Sequence, residues 1–139
     1  MKKISFREYT TFFVGFIFSL LLAILSFFFM PKIIAIQWDG LTPVKWGSRN
    51  YIFLLPIISL FVILLYPFLN NIGSKRFVDC RFTSYGIFSL LIIVLSCEIY
   101  TILYAFYPQI KISISSILIT ELVVQIILYL LFILSRKRK

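Results

Sequence analysis

Two carboxylates, Glu98 and Glu121, stand inside long apolar runs of the sequence. No charge occurs from Phe82 to Cys97, and between Ile112 and Ser135 Glu121 is the only one. A charged side chain at the centre of a bilayer costs about 2.5–3.5 kcal/mol on insertion scales, so such residues turn towards a bundle interior. Glu98 lies nine residues before Tyr107 and Glu121 ten residues after Lys111. At about 1.5 Å of rise per residue, both are expected roughly 13–15 Å below one membrane face, on neighbouring helices. Gln125 follows Glu121 by one helical turn. Ser113 stands two turns before Glu121 and Tyr129 two turns after it, which makes a polar stripe, and Thr101 lies three residues from Glu98. Brought together away from water, at least one carboxyl is expected to hold a proton at neutral pH. Glu98, Glu121, Gln125 and Thr101 then form a candidate ion or proton site, or a polar pocket for a ligand. A hydrogen-bonded clasp between helices is the simpler account and the one favoured here. No Lys or Arg lies within these runs as a partner.

The elements that hold these groups follow from hydropathy. The chain has 139 residues, 61% of them hydrophobic, against about 45–50% apolar residues in a soluble domain. A spanning helix needs about 20 apolar residues. Four segments qualify, at about 9–30, 50–70, 83–107 and 112–135, which predicts an all-α, four-helix transmembrane protein forming one domain over residues 1–139. The run from Thr11 to Phe29 is about twice the length of a signal-peptide core, and Phe28-Phe29-Met30-Pro31 lacks the small residues of a cleavage site. It is read as an uncleaved first helix. Pro31 ends that helix. Pro56 and Pro67 fall inside the second, where a kink near Pro56 is expected. Tyr107-Pro108-Gln109 predicts a tight turn that pairs the third and fourth helices. Gly15, Ser19 and Ala23, at steps of four, allow close helix approach within the molecule.

The formal charge is +9. Lys2, Lys3, Arg7, Lys75, Arg76, Arg81, Arg136, Lys137, Arg138 and Lys139 fall on one side of the four-helix scheme, and Lys32, Lys45, Arg49 and Lys111 on the other. The excess of cations marks the cytoplasmic side, so both termini are expected there. The basic tail suits anionic headgroups rather than nucleic acid. Cys80 is expected in a connecting loop and Cys97 inside a helix, both as free thiols without metal or redox spacing.

The stretch 31–49 is the most individual. Ile34, Ile36 and Trp38 alternate, and Asp39-Gly40 is a two-residue hairpin signal, so a short extracellular loop or β-turn structure is expected. Trp38 and Trp46 are suited to anchoring it at the headgroup level, with partner recognition as the alternative role. Pro31, Ile36, Trp38, Gly40, Pro43, Trp46 and Gly47, followed by Leu54-Leu55-Pro56, resemble the loop and second helix of the bacterial SdpI immunity-protein family. That family shares its N-terminal domain, of unknown function, with many short membrane proteins. Gln37 stands at the family's His position, Asp39 at its Asn and Arg49 at its Lys. The resemblance covers about residues 10–70. It implies a bacterial cytoplasmic-membrane protein that protects its producer from a secreted toxic peptide. The absent His leaves no metal or proton chemistry to carry over at position 37, whereas Gln still donates and accepts hydrogen bonds.

No enzyme is expected. The chain has no His, no cysteine pair, no glycine-rich phosphate loop and no serine with a visible base. No cofactor or metal is implied. The expected partners are the lipid bilayer and a secreted peptide or membrane protein. Three functions are compatible with the residues: an immunity protein acting through the outer loop, a small transporter using Glu98 and Glu121, and an accessory subunit of a larger membrane complex.

Overall fold

A computed structural model describes residues 6–39, 41–75 and 80–137. There are four long helices, with a β-hairpin between the first and the second. They are α1 (Phe6–Phe29), α2 (Leu54–Lys75), α3 (Cys80–Phe106) and α4 (Ile114–Lys137). The hairpin pairs β1 (Ile33–Asp39) with β2 (Thr42–Ser48), and a 3-10 turn over Arg49–Phe53 leads into α2. All four helices are long and apolar enough to cross a membrane: Tyr9–Phe29, Arg49–Leu69, Thr83–Phe106 and Ile114–Leu131. In a bilayer only helices or closed barrels satisfy the backbone internally, and here the helices do so.

The helix α3 is the hub. It packs against α1, α2, α4 and β1, whereas α4 packs chiefly on α3. The exposed apolar side chains of α4, such as Ile119, Ile126 and Leu134, suit hydrocarbon rather than water. Phe12, Ser19, Ala23 and Ser26 of α1 are buried, with Met30 just past its end, a narrow stripe at steps of three, four and seven. Ser19 and Ala23 of the small-residue series thus pack inside the molecule. A Cβ on Gly15 would meet nothing within 4 Å.

The core has two ends. Phe12, Ile63, Tyr66, Ile87 and Leu91 fill the end away from the hairpin. Ala23, Met30, Ile34 and Ile52 close the hairpin end. The Tyr66 ring meets Tyr9 and Phe12 edge-on, at centroid distances of 5.6 and 5.1 Å.

Several expectations need correction. The hairpin signalled at Asp39-Gly40 is present, and its strands extend over seven residues each. Asp39 pairs with Thr42, so it ends β1 instead of occupying the turn. Gly40 lies outside the described residues. Pro56 is buried in the first turn of α2, and Pro67 is the proline inside that helix. A first-turn N–H has no intrahelical acceptor to lose, so Pro56 fits without the interior kink expected of it. Cys80 opens α3 rather than sitting in a loop, because the helix begins three residues earlier than its apolar run. Lys2, Lys3, Arg76, Arg138 and Lys139, counted above for sidedness, lie outside the described residues.

Candidate functional site

The hairpin is built into the helix bundle by its own irregularity. Ile36 has no partner on β2, so β1 is bulged between Ala35 and Gln37. Successive residues of a regular strand alternate faces, and one extra residue shifts that phase. Ala35 and Trp38, three residues apart, therefore join one cluster with Tyr100 and Tyr104 of α3 and with Ile110, Ile114 and Ile117. Ile34 and Ile36 join the other, beside Ala23, Met30 and Ile52. The Trp38 ring lies edge-on to Tyr100 at 5.4 Å and to Tyr104 at 6.1 Å. Trp38 is thus turned into the protein, with Nε1 buried and lacking a hydrogen-bond partner. Trp46, paired with Ala35 across the ladder, is 55% exposed. Gln37 and Asp39 are exposed, as is Pro31, and Pro43 is half-buried opposite Trp38.

Arg49 fastens the hairpin to α1. Its guanidinium donates to the Phe27 carbonyl at 3.4 Å and covers the Phe27 ring at 4.3 Å from the centroid. Its backbone N–H donates to the Lys32 carbonyl at 3.0 Å. The last carbonyls of a helix lack intrahelical donors and carry partial negative charge, so a cation placed there serves both needs. The planar guanidinium stacks and donates at once, which an ammonium cannot do. Gly47 lets Tyr51 close over the sheet. A Cβ there would stand 2.9 Å from Ile36 Cδ1 and 2.9 Å from Tyr51 Cδ2.

The polar groups of the helices make two separate sets of hydrogen bonds. Glu98 is completely buried, and its Oε2 accepts a hydrogen bond from the Ser19 hydroxyl of α1. Its Oε1 has no partner. Thr101 donates to the Cys97 carbonyl of its own helix at 2.8 Å, not to Glu98. Glu121 is half-buried on α4 and accepts from Gln125 Nε2 at 3.5 Å. Glu121 Oε2 and Gln125 Oε1 are buried without partners. No hydrogen bond joins the two carboxyls among the described residues.

Two tyrosines of α3 set the register of α4. The Tyr85 hydroxyl donates to the Gln125 carbonyl, and the Tyr100 hydroxyl to the Ile112 carbonyl at 3.1 Å. Glu121, one turn from Gln125, lies within electrostatic reach of Cys97, the neighbour of Glu98. Glu98, two residues from Tyr100, lies towards the hairpin end. Ser113 does not extend the polar stripe but caps α4, accepting from the Ser115 N–H at 3.2 Å. The turn at Tyr107 closes through an Ile110 N–H to Tyr107 carbonyl bond of 3.2 Å.

Ser19 was visible in the sequence as a small residue at helical spacing, but not as the partner of Glu98. The roles of Tyr85, Tyr100 and Phe27 carry no signal in composition. Among the described residues no three His, Cys, Asp or Glu side chains are grouped to hold a metal. No family model, curated protein or solved structure matches this chain, so the loop resemblance stands on its residues alone.

Proposed function

We propose that the chain is a small multi-pass protein of the bacterial cytoplasmic membrane that protects its producer from a secreted toxic peptide, and that it does so through the outward side of the hairpin. The carrying observation is that β1 is held against the helices while β2 stands exposed. Ala35 and Trp38 are fixed to α3, while Val44 and Trp46 on β2 are each 55% exposed. A loop held by a rigid scaffold and presenting an apolar patch is the common form of a recognition surface. The resemblance of about residues 10–70 to the immunity family supports the same reading. The cation imbalance, ten against four, supports an outward-facing hairpin and cytoplasmic termini.

The test is protection of a sensitive bacterium that expresses the chain. Val44→Ser with Trp46→Ser should abolish protection while the amount of protein in the membrane is unchanged. Glu98→Gln should leave protection intact. Full protection by the hairpin double variant would remove the proposal.

A second reading, a small transporter or the subunit of one, draws on a different observation. Glu98 Oε1, Glu121 Oε2 and Gln125 Oε1 are buried acceptors without donors, in a region where water is scarce. In that case Glu121→Gln and Glu98→Gln each stop transport, and the hairpin substitutions do not.

A further inference from the structure

The hairpin is sunk into the end of the bundle rather than raised above it. Trp38 of β1 meets Tyr100 at 5.4 Å, and Ala35 shares a buried cluster with the same tyrosine. Tyr100 stands inside the α3 span, which ends at Phe106. Ile34 joins a cluster that reaches Ala23, inside the α1 span that ends at Phe29. In both helices the distance is six residues, which at about 1.5 Å each puts the contacts about 9 Å below the helix ends. Ile114 and Ile117, at the start of the α4 span, pack on the same cluster as Ala35. The hairpin is therefore level with the membrane boundary, not with the water beyond it.

Its second strand has no protein cover there. Trp46 pairs with Ala35, and paired side chains leave a sheet on the same face. Ala35 is buried and Trp46 exposed, so β2 overhangs the helices. Val44, which the ladder skips, is exposed as well, as are Leu41 and Tyr51. These side chains at that depth call for an apolar medium. The far edge of β2 has no neighbouring strand among the described residues, and an open edge of N–H and C=O groups is not tolerated in hydrocarbon. The headgroup layer meets both demands. It favours Trp and Tyr rings, and it offers water and phosphate to the edge.

Charge selects among headgroups. Lys32 and Lys45 are exposed on the hairpin, and Lys111 is exposed next to Ile110, which packs on the Trp38 cluster. Asp39 is the one acid among the described residues of the hairpin. Arg49 is not counted, because Phe27 holds its guanidinium.

We infer that β2 is an interfacial anchor, with Trp46 and Val44 seated in the phospholipid headgroup layer and Lys32, Lys45 and Lys111 giving it a preference for anionic headgroups. The anchor holds whether or not the chain protects its producer. Under the protective reading, the toxic peptide meets β2 within that layer.

The test places the full chain in lipid nanodiscs and reads tryptophan fluorescence. The signal lost on Trp46→Phe belongs to Trp46. It should be quenched by phospholipids brominated near the headgroup end of the acyl chain, less by lipids brominated near the methyl end, and weakly by iodide in the water. Strong iodide quenching without lipid quenching overturns the anchor. Quenching by neither overturns it too, since a second copy or another protein then covers β2. Headgroup preference is read by diluting brominated phosphatidylglycerol or brominated phosphatidylcholine into unlabelled phosphatidylcholine. The anionic lipid should reach half-maximal quenching at about fivefold lower content, the effect of one lysine in contact. Lys32→Gln, Lys45→Gln and Lys111→Gln together should bring the two lipids level. Equal quenching by the two lipids in the unaltered chain overturns the preference, and so does a preference that survives the triple variant. If the triple variant fails to assemble, the two-lipid comparison on the unaltered chain still decides it.

Discussion

Ser19 and Glu98 are 79 positions apart in the chain, and the hydroxyl of one meets the carboxyl of the other in the buried contact between α1 and α3. Ser19 is among the most buried residues of α1, and Glu98 is shielded completely. The bond therefore works where water does not compete. Its removal leaves a buried carboxyl with no donor on either oxygen.

Ser19→Ala should lower the stability of the bundle by about 1–3 kcal/mol, the cost of an unsatisfied buried polar group. The double variant Ser19→Ala, Glu98→Leu should regain most of that loss, because exchanging both partners for apolar groups removes the unmet demand. Thermal unfolding in one fixed detergent measures both. Additive losses in the double variant would show that the two side chains do not act on each other.

Glycines 15 and 47 should respond in opposite directions to the same change. Gly47→Ala forces a methyl against Ile36 and Tyr51 and should destabilise the hairpin by about 1–3 kcal/mol. Gly15→Ala enters open space within a helix and should stabilise by about 0.5–1 kcal/mol. Equal melting shifts for the two variants would contradict the close approach at Gly47.

Arg49→Lys should loosen the junction of α1 and the hairpin although the charge is kept. The ammonium forfeits the stacking on Phe27, a loss of about 0.5–1 kcal/mol. The readout is amide hydrogen exchange at Met30, whose N–H donates to the Ser26 carbonyl at 2.9 Å, and at Arg49. Faster exchange at these sites with unaltered exchange in α4 is the expected pattern.

Trp38 and Trp46 should separate stability from recognition. Trp38→Ala empties the contact with Tyr100 and Tyr104 and should cost about 2–3 kcal/mol. Trp46→Ala, at an exposed position, should leave the melting temperature nearly unchanged and alter only protection. A large thermal loss from Trp46→Ala would place that ring inside the fold.

The four long helices were legible because hydropathy alone decides them, and their bounds moved by a few residues. The hairpin was half legible. Alternation at Ile34, Ile36 and Trp38 announced strands, but it assigned the three side chains to one face, and the bulge at Ile36 divides them between two clusters. No residue type marks a bulge, which arises from fitting two faces of a strand to two different neighbours. Glu98, Glu121 and Gln125 were legible as residues out of place in apolar sequence. Their partners were not, since counting from helix ends ignores the rotation of each helix and the register that Tyr85 and Tyr100 impose on α4. Pro56 was misplaced for a related reason: apolar sequence starts before the α-helix does, and the 3-10 turn from Arg49 to Phe53 takes up the difference.

The bulge at Ile36 also sets which changes of length the protein can absorb. Between Met30 and Trp38 the residue count is a phase. A residue inserted between Ala35 and Trp38 would reverse that phase and thereby swing Trp38 away from Tyr100, exposing an indole and opening a hole beside α3 in one step. At the tip, beyond the Asp39–Thr42 pair, added residues would merely lengthen the turn. Homologous loops should accordingly vary in length at the tip and keep the stretch from Met30 to Trp38 fixed, so that an insertion at one place is silent and at the other dismantles the outer face.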